Sequence, residues 1–252
     1  MSSLKVVVGS WRYVLLLVLV FVSLGSLLTL EPIRQDVSYH AFADTRLFFG
    51  IHNCLDVVSN LPFLIIGFLG LRLSLGSELG SMSQAWVLFF IGIGLVSAGS
   101  AYYHWNPNNE SLVWDRLAMT VGFMSLFAAL LGEYLHQRVG KLLLWPLVLI
   151  GLASVVYWHW ADDLRMYAWV QFFPLLVIPL LMLMYKSTYT HSWLILWALG
   201  WYVLAKVAEF YDILILDATA GVVSGHTLKH LLAAAGAYCL YLMLSRRKRS
   251  GG

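Results

Sequence analysis

The feature that most limits what this chain can become is the length of its apolar runs. Stretches of about twenty apolar residues, each long enough to cross a hydrocarbon core, lie near residues 11–30, 54–74, 85–104, 112–132, 142–160, 166–185, 192–213 and 224–245. Inside a bilayer the backbone must satisfy its own polar groups, which makes each run a helix. Apolar residues form 60% of the chain and charged ones only 12%, a balance that argues against a soluble domain. The 11 Trp and 13 Tyr suit interfacial belts. Connections are short, and neither a low-complexity linker nor an internal repeat interrupts them. The expected architecture is therefore all-α: one polytopic transmembrane helical bundle.

The first span has a second reading as a signal peptide, because a basic start and a Val-Leu run precede Ser23, Gly25 and Ser26. Its apolar run exceeds the usual signal core and no clear cleavage site follows, so a retained helix is expected. Cys54 and Cys239 fall within apolar spans and read as small packing residues. Basic residues set the orientation. With the N-terminus in the cytoplasm, that side collects Lys5, Arg12, Arg72, Arg138, Lys141, Lys186 and the tail Arg246 to Arg249, against Arg34, Arg46, Arg116 and Arg165 opposite. Both termini are then cytoplasmic. The basic tail, 246–252, reads as a headgroup anchor rather than a nucleic-acid contact, and no protein partner can be inferred.

Histidine at membrane depth is costly, so a cluster of them needs a reason. His226 and His230 stand at i and i+4 and project from one helix face, while His104 ends a separate apolar span. Together they can make a three-nitrogen site with an open fourth position, the catalytic arrangement for zinc. Ser100 lies one turn below His104 on its face, and Asp115 follows just beyond the turn Trp105-Asn-Pro-Asn-Asn109. Under the orientation above, all of these fall toward the non-cytoplasmic leaflet. Asn53, Asp56 and Asn60 recur as a polar stripe that must face the bundle interior. Lys206 and Glu209 are one turn apart and can neutralise each other, Lys229 can snorkel or meet a carboxylate, and Gln171 beside Pro174 suits a helix–helix hydrogen bond. His40 and His159 share the site's side without a partner at a telling spacing, and His136 and His191 read as interfacial on the cytoplasmic side.

The pattern Ser100-x3-His104-x10-Asp115, followed by His226-x3-His230, resembles the signature of the alkaline ceramidases, within a wider group of seven-helix membrane hydrolases that includes the adiponectin and progestin receptors. Phe42-Ala-Asp-Thr-Arg46, Gly50-Ile-His-Asn53, Asp56-Val-Val-Ser-Asn-Leu-Pro62, Val170-Gln-Phe-Phe-Pro174 and Ser224-Gly-His-Thr-Leu-Lys-His230 are similar to bacterial ceramidase-domain proteins. The resemblance implies a seven-helix catalytic core over residues 41–245, preceded by an added helix and loop over 1–40. It implies zinc on His104, His226 and His230, Asp115 as the base that deprotonates water, and Ser100 as a neighbouring hydrogen-bond donor. The activity it implies is hydrolysis of the N-acyl amide of a ceramide-like membrane lipid to a fatty acid and a sphingoid base.

Animal members carry an acidic calcium-binding segment before and within the first core helix. Here that stretch offers Asp44, Asn53 and Asp56 with fewer carboxylates, so calcium is the lesser expectation. Asp44, Arg46, Asn53 and Asp56 are candidates for substrate contact or for support of the metal ligands. Three other readings stay open at this point: a seven-helix-like receptor or sensor with structural zinc, a haem protein ligated by His104 and His230, and proton-coupled transport through Asp56, Lys206 and Glu209.

Overall fold

The computed structural model describes residues 11–76 and 79–249. Lys5 and the end of the basic tail beyond Arg249 lie outside the described residues. The described chain is predominantly helical, with no strands among the described residues: α1 (Trp11–Thr29), α2 (Cys54–Val58), α3 (Leu61–Gly76), α4 (Ser83–Trp105), α5 (Asn109–Tyr134), α6 (Gln137–Ala161), α7 (Arg165–Met184), α8 (Leu194–Phe210), α9 (Asp212–Ala218) and α10 (Gly225–Arg246). Among the described residues, seven segments are long and apolar enough to cross a membrane: α1, α2 with α3, α4 with the turn before it, α5, α6, α7 and α10. The helices are apolar all round, and large side chains such as Phe21, Phe68, Leu142, Leu183 and Phe210 stand on the outside, where a bilayer would solvate them. This is a multi-pass helical membrane protein.

Two expected crossings differ in detail. The span near 54–74 is broken, because α2 ends after one turn and the chain kinks through Ser59 and Asn60 before α3. Asn60 and Pro62 explain the break: Asn60 Nδ2 donates back to the Asp56 and Val57 carbonyls in competition with helix continuation, and Pro62 has no amide N–H to continue the ladder. The span near 192–213 is shortened to the 17 residues of α8, about 25 Å at 1.5 Å per residue, less than the roughly 30 Å of a hydrocarbon core. At Tyr211 the chain turns into α9, and that turn frees the Asp212 carboxylate to accept from the Ala43 and His226 amides.

The core is shared by α3, α4, α5, α6, α7, α8 and α10 around Trp86, Phe90, Leu130, Val170 and Leu181. α4 packs along α3 and α5, α6 along α5 and α7, and α10 along α8 and α3. α7 and α8, in contrast, do not pack closely among the described residues; the Gln171 Nε2 to Tyr202 Oη hydrogen bond, 2.8 Å, spans them. Helix α1 sits outside, on α7, where Trp169 Nε1 donates to Ser23 Oγ at 2.9 Å. At its far end the Arg165 guanidinium donates to the Leu30 carbonyl while gripping Asp163, and Arg165 holds the Asp163 carboxyl down to about 2.

The ends of the bundle differ in chemistry. One end holds a buried ion pair in which Arg247 Nη1 meets Glu133 Oε1 at 2.6 Å, and Trp86 Nε1 donates to the same oxygen at 2.8 Å. Arg247 also donates to the Leu79 carbonyl, so this pair ties the end of α10 to the loop before α4. Glu133→Ala strands a buried guanidinium, and stability should fall by about 3–5 kcal/mol. Thermal unfolding in detergent checks this: a clearly lower midpoint is expected, with Glu133→Gln falling between because it can still accept from Trp86.

Candidate metal centre

The opposite end gathers most of the buried polar residues. Helix α4 carries Ser97, Ser100 and His104 on one buried face and stops at Trp105. The Asn106–Asn108 turn follows, and α5 starts under a reciprocal cap in which Asn108 accepts from the Ser111 amide and Ser111 Oγ accepts from the Asn108 amide. The tight turn brings Asp115, in the second turn of α5, back beside α4, where its carboxylate hydrogen-bonds the Ser100 hydroxyl. Gly99 permits this approach, since a Cβ there would lie 2.6 Å from the Trp114 carbonyl oxygen and 3.1 Å from the Asp115 nitrogen.

Helix α10 supplies the other two imidazoles. Its first turn is capped by Ser224, whose Oγ accepts from the Thr227 amide at 2.9 Å. The Ser224 and Thr227 hydroxyls both donate to Asp56 Oδ1, a fully buried carboxylate placed against the positive end of the α10 dipole. Asp212 takes the His226 amide at 2.7 Å. Gly225 is required here because a Cβ would fall 2.1 Å from the Ala208 carbonyl oxygen.

The three rings meet. His104 lies 4.6 Å from His226 and 4.8 Å from His230 between ring centroids, and His226 and His230 are 5.0 Å apart. One nitrogen from each falls within 4.8 Å of the others, and all three residues are buried. Imidazoles held tetrahedrally at about 2.0–2.1 Å from one ion place their nitrogens roughly 3.4 Å apart, so the cluster closes on a metal by small ring rotations. The free polar atoms agree. His104 Nδ1 is buried with no partner, and an unsatisfied imidazole nitrogen is costly to bury. His226 Nε2 already faces a cation, the Lys229 ammonium at 3.2 Å. His230 Nδ1 is engaged by Ser59 Oγ at 2.7 Å, the outer hydrogen bonding that fixes ring and tautomer in metal-bound histidines and leaves Nε2 free. The donor set therefore fits a metal ion.

The residues expected to serve substrate or ligand support act as braces. Asn53 starts α2 from a left-handed conformation, and its Nδ2 donates to the His104 carbonyl at 2.9 Å. Asp44 gives both oxygens to Arg46, whose guanidinium also reaches the Gly221 and Val222 carbonyls. Asp44 is thus occupied by Arg46 and Asp56 Oδ1 by α10, while Asp56 Oδ2 and Asn60 Oδ1 are buried without a hydrogen-bond partner among the described residues. His40, unpartnered by spacing, shares hydrogen bonds with Tyr103 Oη and Asn109 Oδ1. His159 lies 3.6 Å from Glu110 at the surface. Lys206 and Glu209 pair at 2.6 Å as expected, and Lys229 joins the same carboxylate at 2.5 Å. Among the described residues no hydrogen bond joins that trio to Asp56. The His104 and His230 ring centroids lie 4.8 Å apart, closer than a porphyrin placed between two axial imidazoles would allow.

Several functional positions were not singled out from the sequence. Phe42 lies over the cluster, 4.5 Å from the His104 ring and 4.7 Å from the His226 ring. Ser59 extends the polar stripe and would have been found by following Asp56 one turn onward. Asp212 carried no local signal, since its role depends on a turn between two helices. A cavity of about 370 Å³ opens beside the centre; Ser100, Asp115, Arg116, Lys229 and His230 line its polar end, and Phe89, Phe123 and Ile178 are among its apolar walls.

No protein-family model matches the chain, and a search of the curated proteins finds no match either.

Ser59→Ala removes the hydroxyl behind His230 without touching a ligand. Metal affinity should fall about 10- to 100-fold while the fold persists, as for other outer-shell partners. Competition with a chelator, read by elemental analysis of purified protein, checks it.

Proposed function

We propose that this protein is an integral-membrane zinc amidohydrolase that cleaves the N-acyl bond of ceramide-like lipids, releasing a fatty acid and a sphingoid base. The observation that carries the reading is a cluster of three buried imidazoles, one of which, His230, lines a largely apolar cavity together with Ser100 and Asp115. All-nitrogen ligation with an unfilled fourth position favours zinc. The resemblance to alkaline ceramidases, carried by these same five residues, supports the substrate class. The distribution of basic residues supports a centre on the non-cytoplasmic side with both termini in the cytoplasm.

When bound, zinc would polarise the amide carbonyl and acidify water, which addresses the poor reactivity of an amide. The chain supplies the rest. Asp115 accepts the proton from the attacking water and passes it to the departing amine. Ser100, hydrogen-bonded to that carboxylate, holds its orientation. Phe42 and the buried walls exclude bulk water. The apolar walls take the acyl chain, and the loosely packed seam between α7 and α8, both of which line the cavity, offers a lateral route from the bilayer.

Asp115→Asn keeps the shape and the hydrogen bond yet removes the base. Turnover of ceramide by the purified protein should drop about 10²- to 10⁴-fold with metal content unchanged. Release of fatty acid at the wild-type rate, or no turnover of any acyl amide by metal-loaded wild type, would contradict the reading; the second result favours a receptor with a structural ion.

A further inference from the structure

Arg116 is the most unusual charge in the bundle. It follows Asp115 on α5, only 5% of its surface is exposed, and no carboxylate forms an ion pair with it among the described residues. Its guanidinium sits in an aromatic box, 4.0 Å from the Trp158 ring centroid, 4.7 Å from Tyr167 and 5.8 Å from Tyr39. Nη2 donates to Gln35 Oε1 at 2.7 Å. Nη1 is buried with no partner.

Burying a guanidinium is expensive, and cation–π contacts return only part of that cost. The neighbouring carboxylates are engaged elsewhere. Asp115 is hydrogen-bonded to Ser100, and Glu209 serves Lys206, Lys229 and the Tyr39 hydroxyl. Arg116 lines the same cavity as Asp115 and His230, on the side closed by Ile33 and Tyr39 from the segment before α2. A ligand whose reacting carbonyl lies at the metal centre therefore has, within the same cavity, a buried guanidinium with one N–H group that no protein acceptor takes.

We infer that Arg116, within its box of Tyr39, Trp158 and Tyr167, is an anion subsite that receives a carboxylate-type oxygen on a long apolar chain. A planar guanidinium suits that group, and the aromatic faces keep water from competing for it. In the setting of the proposed hydrolysis, on which the place of this step rests, the oxygen comes from one of two sources: the carboxylate of the released fatty acid, or an anionic headgroup on the intact acyl amide.

The test uses full-length, metal-loaded protein in neutral detergent. Binding of palmitate is compared with hexadecanol, and hydrolysis of N-palmitoylglycine with N-palmitoylethanolamine, for wild type, Arg116→Gln and Arg116→Lys. Wild type should prefer the charged member of at least one pair by about 10- to 100-fold, the worth of a charge-assisted hydrogen bond. Arg116→Gln should lose that preference while binding its metal, and Arg116→Lys should keep part of it. A preference confined to palmitate assigns the released carboxylate; one confined to the acylglycine assigns the headgroup. Equal binding and equal turnover of both pairs by wild type, or an undiminished preference in Arg116→Gln, overturns the subsite. The wild-type comparison stands even where a variant fails to fold. If no amide is cleaved but palmitate still binds through Arg116, the hydrolytic reading falls and the subsite remains.

Discussion

Everything at the functional end depends on how the start of α10 is held. Two imidazoles one turn apart converge with a third only if the helix begins at a fixed depth and rotation, and two carboxylates from elsewhere in the chain, Asp56 fully buried and Asp212 partly so, set both. Asp56 collects the Ser224 and Thr227 hydroxyls, and Asp212 takes the His226 amide. Burying Asp56 is costly, but the unpaired donors of a helix N-terminus offset that cost, so helix start and carboxylate stabilise each other. Gly225 lets the backbones close to the distance this needs.

The same economy recurs around the centre. Asn53 holds the end of α4 through the His104 carbonyl, Ser59 steadies His230, and the segment before α2 is fastened to α4 and α5 through His40 and to α9 through Asp212. Polar side chains here act mainly on helix ends and ring orientations. The polar and charged side chains that face the cavity include Ser100, Asp115, Arg116, Gln171, Lys206, Lys229 and His230.

Much of this was legible in the sequence, for definite reasons. Membrane helices announce themselves by length, so the bundle could be read from apolar runs, and the i, i+4 spacing placed His226 and His230 on one face. The Asn-Pro-Asn turn marked where one helix stops and the next begins, and α4 and α5 meet there. What could not be read were features set by two distant segments at once. The break at Asn60 comes from a side chain competing for carbonyls, and the shortening of α8 from a turn that serves α10. Asp44 and Arg46 looked like ligand contacts because charge near a site suggests function; the structure has them gripping each other and the loop before α10. Arg116 was counted only as a loop charge for orientation, since its aromatic box draws on Tyr39, Trp158 and Tyr167 from three other parts of the chain.

The most direct test is X-ray absorption at the zinc edge of the purified, catalytically intact protein. One zinc per chain, with three imidazole nitrogens and one oxygen ligand at about 2.0–2.1 Å, is the expected spectrum. Sulfur in the shell, a six-oxygen environment, or a protein that cannot retain a metal would contradict a centre built from His104, His226 and His230.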